Sequence, residues 1–310
     1  MKSYPVSSRA SNIEYAIRDV VIPANKLEKQ GKSIIKLNIG DPLAYPYFKT
    51  PKHMIDAYCK SLLNQNNGYS SSYGINELRE AIAFNEQNKE NGGWNCSLDD
   101  VYICHGVTEA LQILFAAILT ENDIILAPGP HYPPYMAYPQ LYGAKTVEYK
   151  LDSKNNWGID IQDLKNKIDN NVKAIVVINP NNPTGGIATK KQLIEIINIA
   201  KEIPNCIIIS DEIYDKINFN NDHISLASLS KDVPVITLNG VSKVFYAPGW
   251  RIGYMAWHDP SKKLDRIRDG VERLLRSRLC ASTPAQYGYL AGLNGPTNWM
   301  IDYNKKLIEN

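Results

Sequence analysis

The residues best placed to do chemistry lie in NGVSKVFYAPGWRIGY, residues 239–254. Lys243 follows a short apolar run, residues 235–238, so it stands at a strand end or in the loop after it, with Ser242 beside it and Arg251 eight residues on. A lysine kept out of water near a second cation has a lowered pKa, and its neutral amine forms Schiff bases with carbonyls. That chemistry points to pyridoxal phosphate. A Ser-Lys pair alone is more often solvated surface, so the reading needs partners. They are a carboxylate for the ring nitrogen, a phosphate cradle, an aromatic against the ring and a donor to the phenolic oxygen.

Candidates for all four lie just after strand-like runs. After VYIC, residues 101–104, come His105-Gly106-Val107-Thr108-Glu109 and an apolar helix. A glycine turn into a helix N-terminus is an anion site, with Val107 and Thr108 at its head. The same pattern also serves as a plain turn with Thr108 as N-cap. The loop PGPHYPPY, residues 128–135, is too rich in proline for helix or sheet and holds Tyr132 at a strand end, either stacked on a planar ring or packed under its own loop. Asp211 comes after the apolar run 206–209, where a carboxylate needs a partner such as a protonated pyridine nitrogen, or serves as a helix N-cap. Tyr214 reaches the same ligand if the turn is helical. In GYSSSYG, Tyr69 and Tyr73 are either surface tyrosines or active-site hydroxyls.

The elements that must position these residues read as a parallel sheet covered by helices. Runs 174–178, 206–209 and 235–238 are almost wholly apolar, and a helix over 190–202 puts Leu193, Ile194, Ile197 and Ala200 on one face. Ligands in such α/β folds bind beyond the carboxyl ends of the strands, where Asn182, Asp211, Tyr214 and Lys243 fall. Upstream, residues 13–30 have helical spacing that Pro23 must kink or divide, and 34–39 read as a short strand entering the turn Gly40-Asp41-Pro42. A helix starting at Asn76 carries Leu78, Ile82 and Phe84. Another, over 261–279, turns Leu264, Ile267, Val271, Leu274 and Leu275 inward and its arginines to solvent, and a last helical pattern starts at Trp299.

Composition bounds the partners. The 310 residues are 44% hydrophobic, and 34 basic against 32 acidic residues leave a net charge of +2 without blocks of either sign, which points away from nucleic acid and membrane. Small neutral or zwitterionic partners fit this balance. Five scattered cysteines have no metal or redox spacing, no spanning run occurs and the first ten residues lack a signal-type apolar core, so a cytoplasmic location is expected.

In fixed order, LNIGDP, HGVTEAL, PGPHYPPY, INPNNPTGG, SDEIYD, NGVSKVFYAPGWRIGY and RLCASTPAQ resemble the fold-type I pyridoxal-phosphate enzymes, the class I/II aminotransferases, and among them the alanine aminotransferase group. The likeness runs from about Ser8 to the last residue. It implies a three-layer α/β/α, mostly parallel sheet in a large domain of residues 46–285. Residues 1–45 would be an N-terminal arm and the first part of a small α+β domain, and 286–310 the start of its C-terminal part.

By the same resemblance Lys243 is the Schiff-base lysine and proton shuttle, Asp211 pairs with the pyridine nitrogen, Tyr214 and Asn182 bond the phenolic oxygen, and Tyr132 stacks on the ring. Val107, Thr108, Ser242 and Arg251 cradle the phosphate. Gly40 and Asn182 line the substrate pocket, and Tyr69 reaches the phosphate of a neighbouring subunit in a homodimer. The implied activity moves the amino group of a small amino acid, L-alanine, to 2-oxoglutarate. Two departures stand out. Gly240 occupies a position that is often serine, and no arginine occurs after Arg278 to clamp a substrate carboxylate, so the resemblance implies a truncated small domain. A C–S β-lyase and a non-catalytic cofactor-binding subunit are the rival expectations.

Overall fold

Strands without a polar face must be covered on both sides. In the computed structural model, which describes residues 4–11, 13, 16–38, 40–220 and 222–309, the apolar runs form the centre of an eight-stranded sheet among those residues. Its strands are β1 Val101–Cys104, β2 Ile124–Gly129, β3 Lys145–Asp152, β4 Gly158–Ile159, β5 Val172–Ile178, β6 Ile207–Asp211, β7 Val235–Gly240 and β8 Gly253–His258. They lie in the order β1-β8-β7-β6-β5-β2-β3-β4. The run from β7 through β3 is parallel, while β8 is antiparallel to β7 and β1, and β4 to β3. The expected mostly parallel α/β sheet is present, and β3 and β8 extend it beyond the expected runs.

The pleat sends alternate residues to opposite faces. Ala174, Val176, Ile178, Ile209 and Ile236 enter a core closed by Leu111, Leu114 and Phe115 of helix Gly106–Ile118 and by Val271 and Leu275 of helix Asp265–Ser277. Ile175, Val177, Ile208 and Val235 point the other way. There they meet Leu193, Ile196, Ile197 and Ala200 of helix Lys190–Glu202 and Leu78 and Ile82 of helix Asn76–Gln87. Helix Lys190–Glu202 starts where it does because Thr189 and Gln192 form a capping box that satisfies otherwise free N–H groups.

Five local expectations are corrected. Residues 34–38 are not a strand: Ile35 and Leu37 are exposed, and among the described residues no neighbouring strand supplies the ladder that would order them, while Ile39 lies outside the described residues. The N-terminal helix is divided into Ser8–Ser11, Ala16–Asp19 and Val21–Lys29, with Pro23 in the first turn of the last, where its missing N–H costs nothing. Residues 14 and 15 of the expected span lie outside the described residues. Phe84 and Ile194 are exposed, not on the buried faces with Leu78 and Ile82 and with Leu193 and Ile197. Arg268 is not simply solvated, since its guanidinium lies 5.4 Å from the Trp257 ring centre and donates to Asp100.

Behind the strand ends sits a buried ion network. Lys89 Nζ lies 2.8 Å from Glu86 Oε1 and 2.7 Å from Glu212 Oε2, both carboxylates fully buried. Tyr254 and Trp94 donate to Glu86, and Ser210 and Ser225 donate to Glu212. Burial alone would lower the Lys89 pKa, but Glu212 and Glu86 outweigh it and hold it above its ordinary value. Removing the lysine leaves Glu86 and Glu212 buried without the charge they share. Lys89→Met is therefore expected to lower unfolding free energy by about 3–5 kcal/mol in urea denaturation, and a loss below about 1 kcal/mol would contradict the buried network.

Candidate active site

Asp211 ends β6, and the neighbouring parallel strand β7 runs past it into Ser242 and Lys243, with Asp211 opposite Leu238 in register. The carboxylate is 3% exposed. Tyr135 Oη donates to its Oδ2 at 2.8 Å, and the Ile213 N–H points at Oδ1 from 3.3 Å. Burial pushes the Asp211 pKa up to about 6, against the pull of these donors; Glu212 adds to the rise and Lys243 opposes it. Tyr214 is half-buried in the turn beyond it, and burial next to Asp211 and Tyr132 raises its pKa. Tyr132 packs edge-on against Tyr135, ring centres 6.4 Å apart.

Lys243 is half-buried, and its Nζ donates to the Gly40 carbonyl at 2.7 Å. Desolvation lowers its pKa; Asp41 and Asp211 oppose that shift and Arg251 reinforces it. A larger share of neutral amine at neutral pH is the consequence, which is what nucleophilic attack requires.

Arg251 lies in the connection from β7 to β8 and is kept at this site because β8 starts antiparallel beside the end of β7. It adopts a left-handed backbone conformation, donates to the Pro248 carbonyl at 2.8 Å and sits 3.5 Å from Ser242 Oγ and 3.4 Å from the His105 carbonyl. At Gly106 a Cβ would lie 2.4 Å from Arg251 Nη2, so only glycine lets the guanidinium rest on the first turn of helix Gly106–Ile118. His105 is the N-cap of that helix and makes no side-chain cap bond; Thr108 is inside the first turn, so its reading as N-cap is corrected. Gly240 has a packing reason as well, because a Cβ there would lie 2.6 Å from Gly253 Cα and from the Ile252 carbonyl oxygen. A serine at that position requires β8 to move away.

Lys243 thus touches Gly40 and interacts electrostatically with Asp211 and Arg251; Arg251 in turn reaches Ser242 and rests on Gly106, next to Val107 and Thr108, and Tyr214 interacts with Asp211 and Tyr132. Asn182 is half-buried in the loop leaving β5, beside Asn181, whose buried Oδ1 has no hydrogen-bond partner among the described residues. Tyr69 stands apart, 85% exposed. Sequence reasoning missed Tyr135, although its place three residues after Tyr132, on helix Pro134–Leu141, was a usable signal. Tyr73 is bound elsewhere, donating to Glu272 and accepting from Arg276.

A family model for aminotransferase class I and II matches residues 32–310. The chain belongs to the class I and II aminotransferases. This aminotransferase is 37% identical over 291 residues to the glutamate-pyruvate aminotransferase AlaA of Escherichia coli K12, covering 93% of this chain and 71% of that protein. It is 35% identical over 296 residues to the alanine aminotransferase of Mycobacterium tuberculosis H37Rv, covering 95% and 68%. The solved alanine aminotransferase of Pyrococcus furiosus superposes with a TM-score of 0.95 at 50% identity, covering 98% of this chain and 77% of that one.

The Tyr135 hydroxyl bonds the ionised form of Asp211, so it holds the pKa below what burial alone would impose. Tyr135→Phe in this aminotransferase is expected to move proton uptake at Asp211 from near pH 6 to higher pH, by about one pH unit. Carboxyl NMR of the apoprotein measures it. The stability cost of the substitution is largest above that midpoint, where the carboxylate is charged, and shrinks below it; an unmoved midpoint rules the bond out.

Proposed function

We propose that this aminotransferase holds pyridoxal 5′-phosphate at Lys243 and transfers the amino group of L-alanine to 2-oxoglutarate. The observation that carries the reading is the pairing, on adjacent strand ends, of a wholly buried carboxylate, Asp211, with a half-buried lysine of lowered pKa, Lys243. The residues present fit the cofactor. Asp211 would receive a cationic ring nitrogen that satisfies its buried charge. Arg251, Ser242 and the N–H groups of Val107 and Thr108 would hold the phosphate dianion, because helix N-termini and guanidinium groups both favour it. Tyr132 offers a flat face, and Tyr214 and Asn182 offer donors.

When bound, this cofactor supplies an electron sink that lets an α-proton leave. Lys243 Nζ is the group that takes up and returns that proton, its lowered pKa matching it to the task. The Gly40 carbonyl positions the amine, and Gly40 with Asn182 bounds the space for a small substrate. Exposed Tyr69 reaches toward a second copy in a homodimer with shared sites. Residues 46–285 form the cofactor-binding domain, flanked by 1–45 and 286–310 as parts of the small domain. The names of the Escherichia coli and Mycobacterium tuberculosis relatives support alanine and the glutamate pair as substrates, and the free, buried Cys96, Cys104 and Cys206 suit a cytoplasmic enzyme.

The purified chain is expected to develop a visible absorption band with pyridoxal 5′-phosphate and to form pyruvate and glutamate in equal amounts from L-alanine and 2-oxoglutarate. Lys243→Ala is expected to lose the band and at least about a thousandfold in turnover. Pyruvate and ammonia released from cysteine without a 2-oxo acid would instead identify a β-lyase.

A further inference from the structure

The head of helix Gly106–Ile118 carries an acidic residue the reaction does not use. Glu109 lies in the first turn, its side chain 19% exposed, and its Oε2 accepts the His105 N–H at 2.8 Å. The carbonyl of the same residue, His105, lies 3.4 Å from Arg251 Nη2. One peptide unit on each side of His105 therefore separates a negative charge from the guanidinium assigned to the phosphate. Arg278, just past helix Asp265–Ser277, answers that charge: its Nε is 3.2 Å from Glu109 Oε2, and its Nη2 donates to the Ile103 carbonyl at 2.5 Å. The Arg278 side chain is 14% exposed, and among the described residues neither its buried Nε nor its buried Nη1 makes a hydrogen bond, so Nε meets Glu109 as an ion pair and the guanidinium is committed to this corner and not to solvent.

We propose that Arg278 is a positioning residue for the phosphate cradle, neutralising Glu109 so that the head of helix Gly106–Ile118 stays favourable to a dianion. The inference rests on Val107, Thr108, Ser242 and Arg251 being the phosphate cradle. Glu109 is useful locally, because its carboxylate satisfies the His105 N–H, but uncompensated it would oppose the helix dipole and Arg251 in drawing an anion. Arg278 removes that conflict and ties the ends of β1 and of helix Asp265–Ser277 to the same corner. His105 Nε2, 3.2 Å from the Cys280 carbonyl, makes a second tie to the segment after that helix.

The test compares binding of pyridoxal 5′-phosphate with that of pyridoxal, which lacks the phosphate, by visible absorbance titration of the full chain. The unmodified protein is expected to prefer the phosphorylated form strongly. Arg278→Met is expected to reduce that preference roughly tenfold while pyridoxal affinity stays within about twofold. Glu109→Gln is expected to keep or raise the preference, Arg278→Lys to retain it, and Glu109→Gln combined with Arg278→Met to restore it. Since Glu109→Gln leaves the Arg278 packing in place, it reads the charge effect even where the methionine variant does not fold. If the unmodified protein shows no preference, the cradle reading falls and this inference with it. A strong preference that Arg278→Met leaves intact, or a loss shared equally by both ligands, overturns the inference alone and leaves the cradle standing.

Discussion

Two adjacent carboxylates, Asp211 and Glu212, lie at the end of β6 with almost no exposure, and the arrangement around them is dictated by the needs of buried charges. A buried carboxylate without partners costs several kcal/mol. Successive residues at a strand end face opposite sides of the sheet, so the pair cannot share one partner. Glu212 turns to the side of helix Asn76–Gln87 and meets Lys89, Ser210 and Ser225. Asp211 turns to the other side and meets Tyr135. Each side must therefore be closed by elements distant in sequence.

The two carboxylates are not equivalent. Lys89 and the hydroxyls around Glu212 outweigh burial and lower its pKa, so it stays a fixed anion with its charge answered from within the protein. Asp211 has a hydroxyl and an N–H but, among the described residues, no cation in direct contact, and burial leaves its pKa at about 6. A fully answered carboxylate holds structure; an incompletely answered one is available to a cationic ligand group. The difference lies in which face each side chain takes, not in residue type.

The antiparallel turn of β8 does the corresponding work for positive charge. Because β8 starts beside the end of β7, Arg251 just before it is held at the head of helix Gly106–Ile118, through contacts so close that a side chain at Gly106 or Gly240 would displace them. Lys243 then lies between that guanidinium and Asp41 and Asp211, and the net result is an amine with a lowered pKa. The Gly40 carbonyl, 203 positions away in the chain, completes its surroundings. Arg278 and Glu109 extend the same principle one layer outward.

The sequence by itself determined the parallel core and the residues at its strand ends. Unbroken apolar runs at 174–178, 206–209 and 235–238 admit no solvated face, and the residues next after each run must sit at the rim of the sheet, so Asp211 and Lys243 were legible as neighbours of one site. It did not determine which partners answer those charges. Tyr135, Lys89, Glu86 and Arg278 come from separate elements, and nothing local marks them as facing Asp211, Glu212 or Glu109. Nor did it determine the conformation of 34–38, where Ile35 and Leu37 remain exposed because no strand among the described residues lies beside them. Local propensity and hydrophobic pattern act within a few residues, whereas desolvation and Coulomb interactions act between whatever groups the packed sheet brings together. For that reason the charge pattern of the site belongs to the tertiary structure.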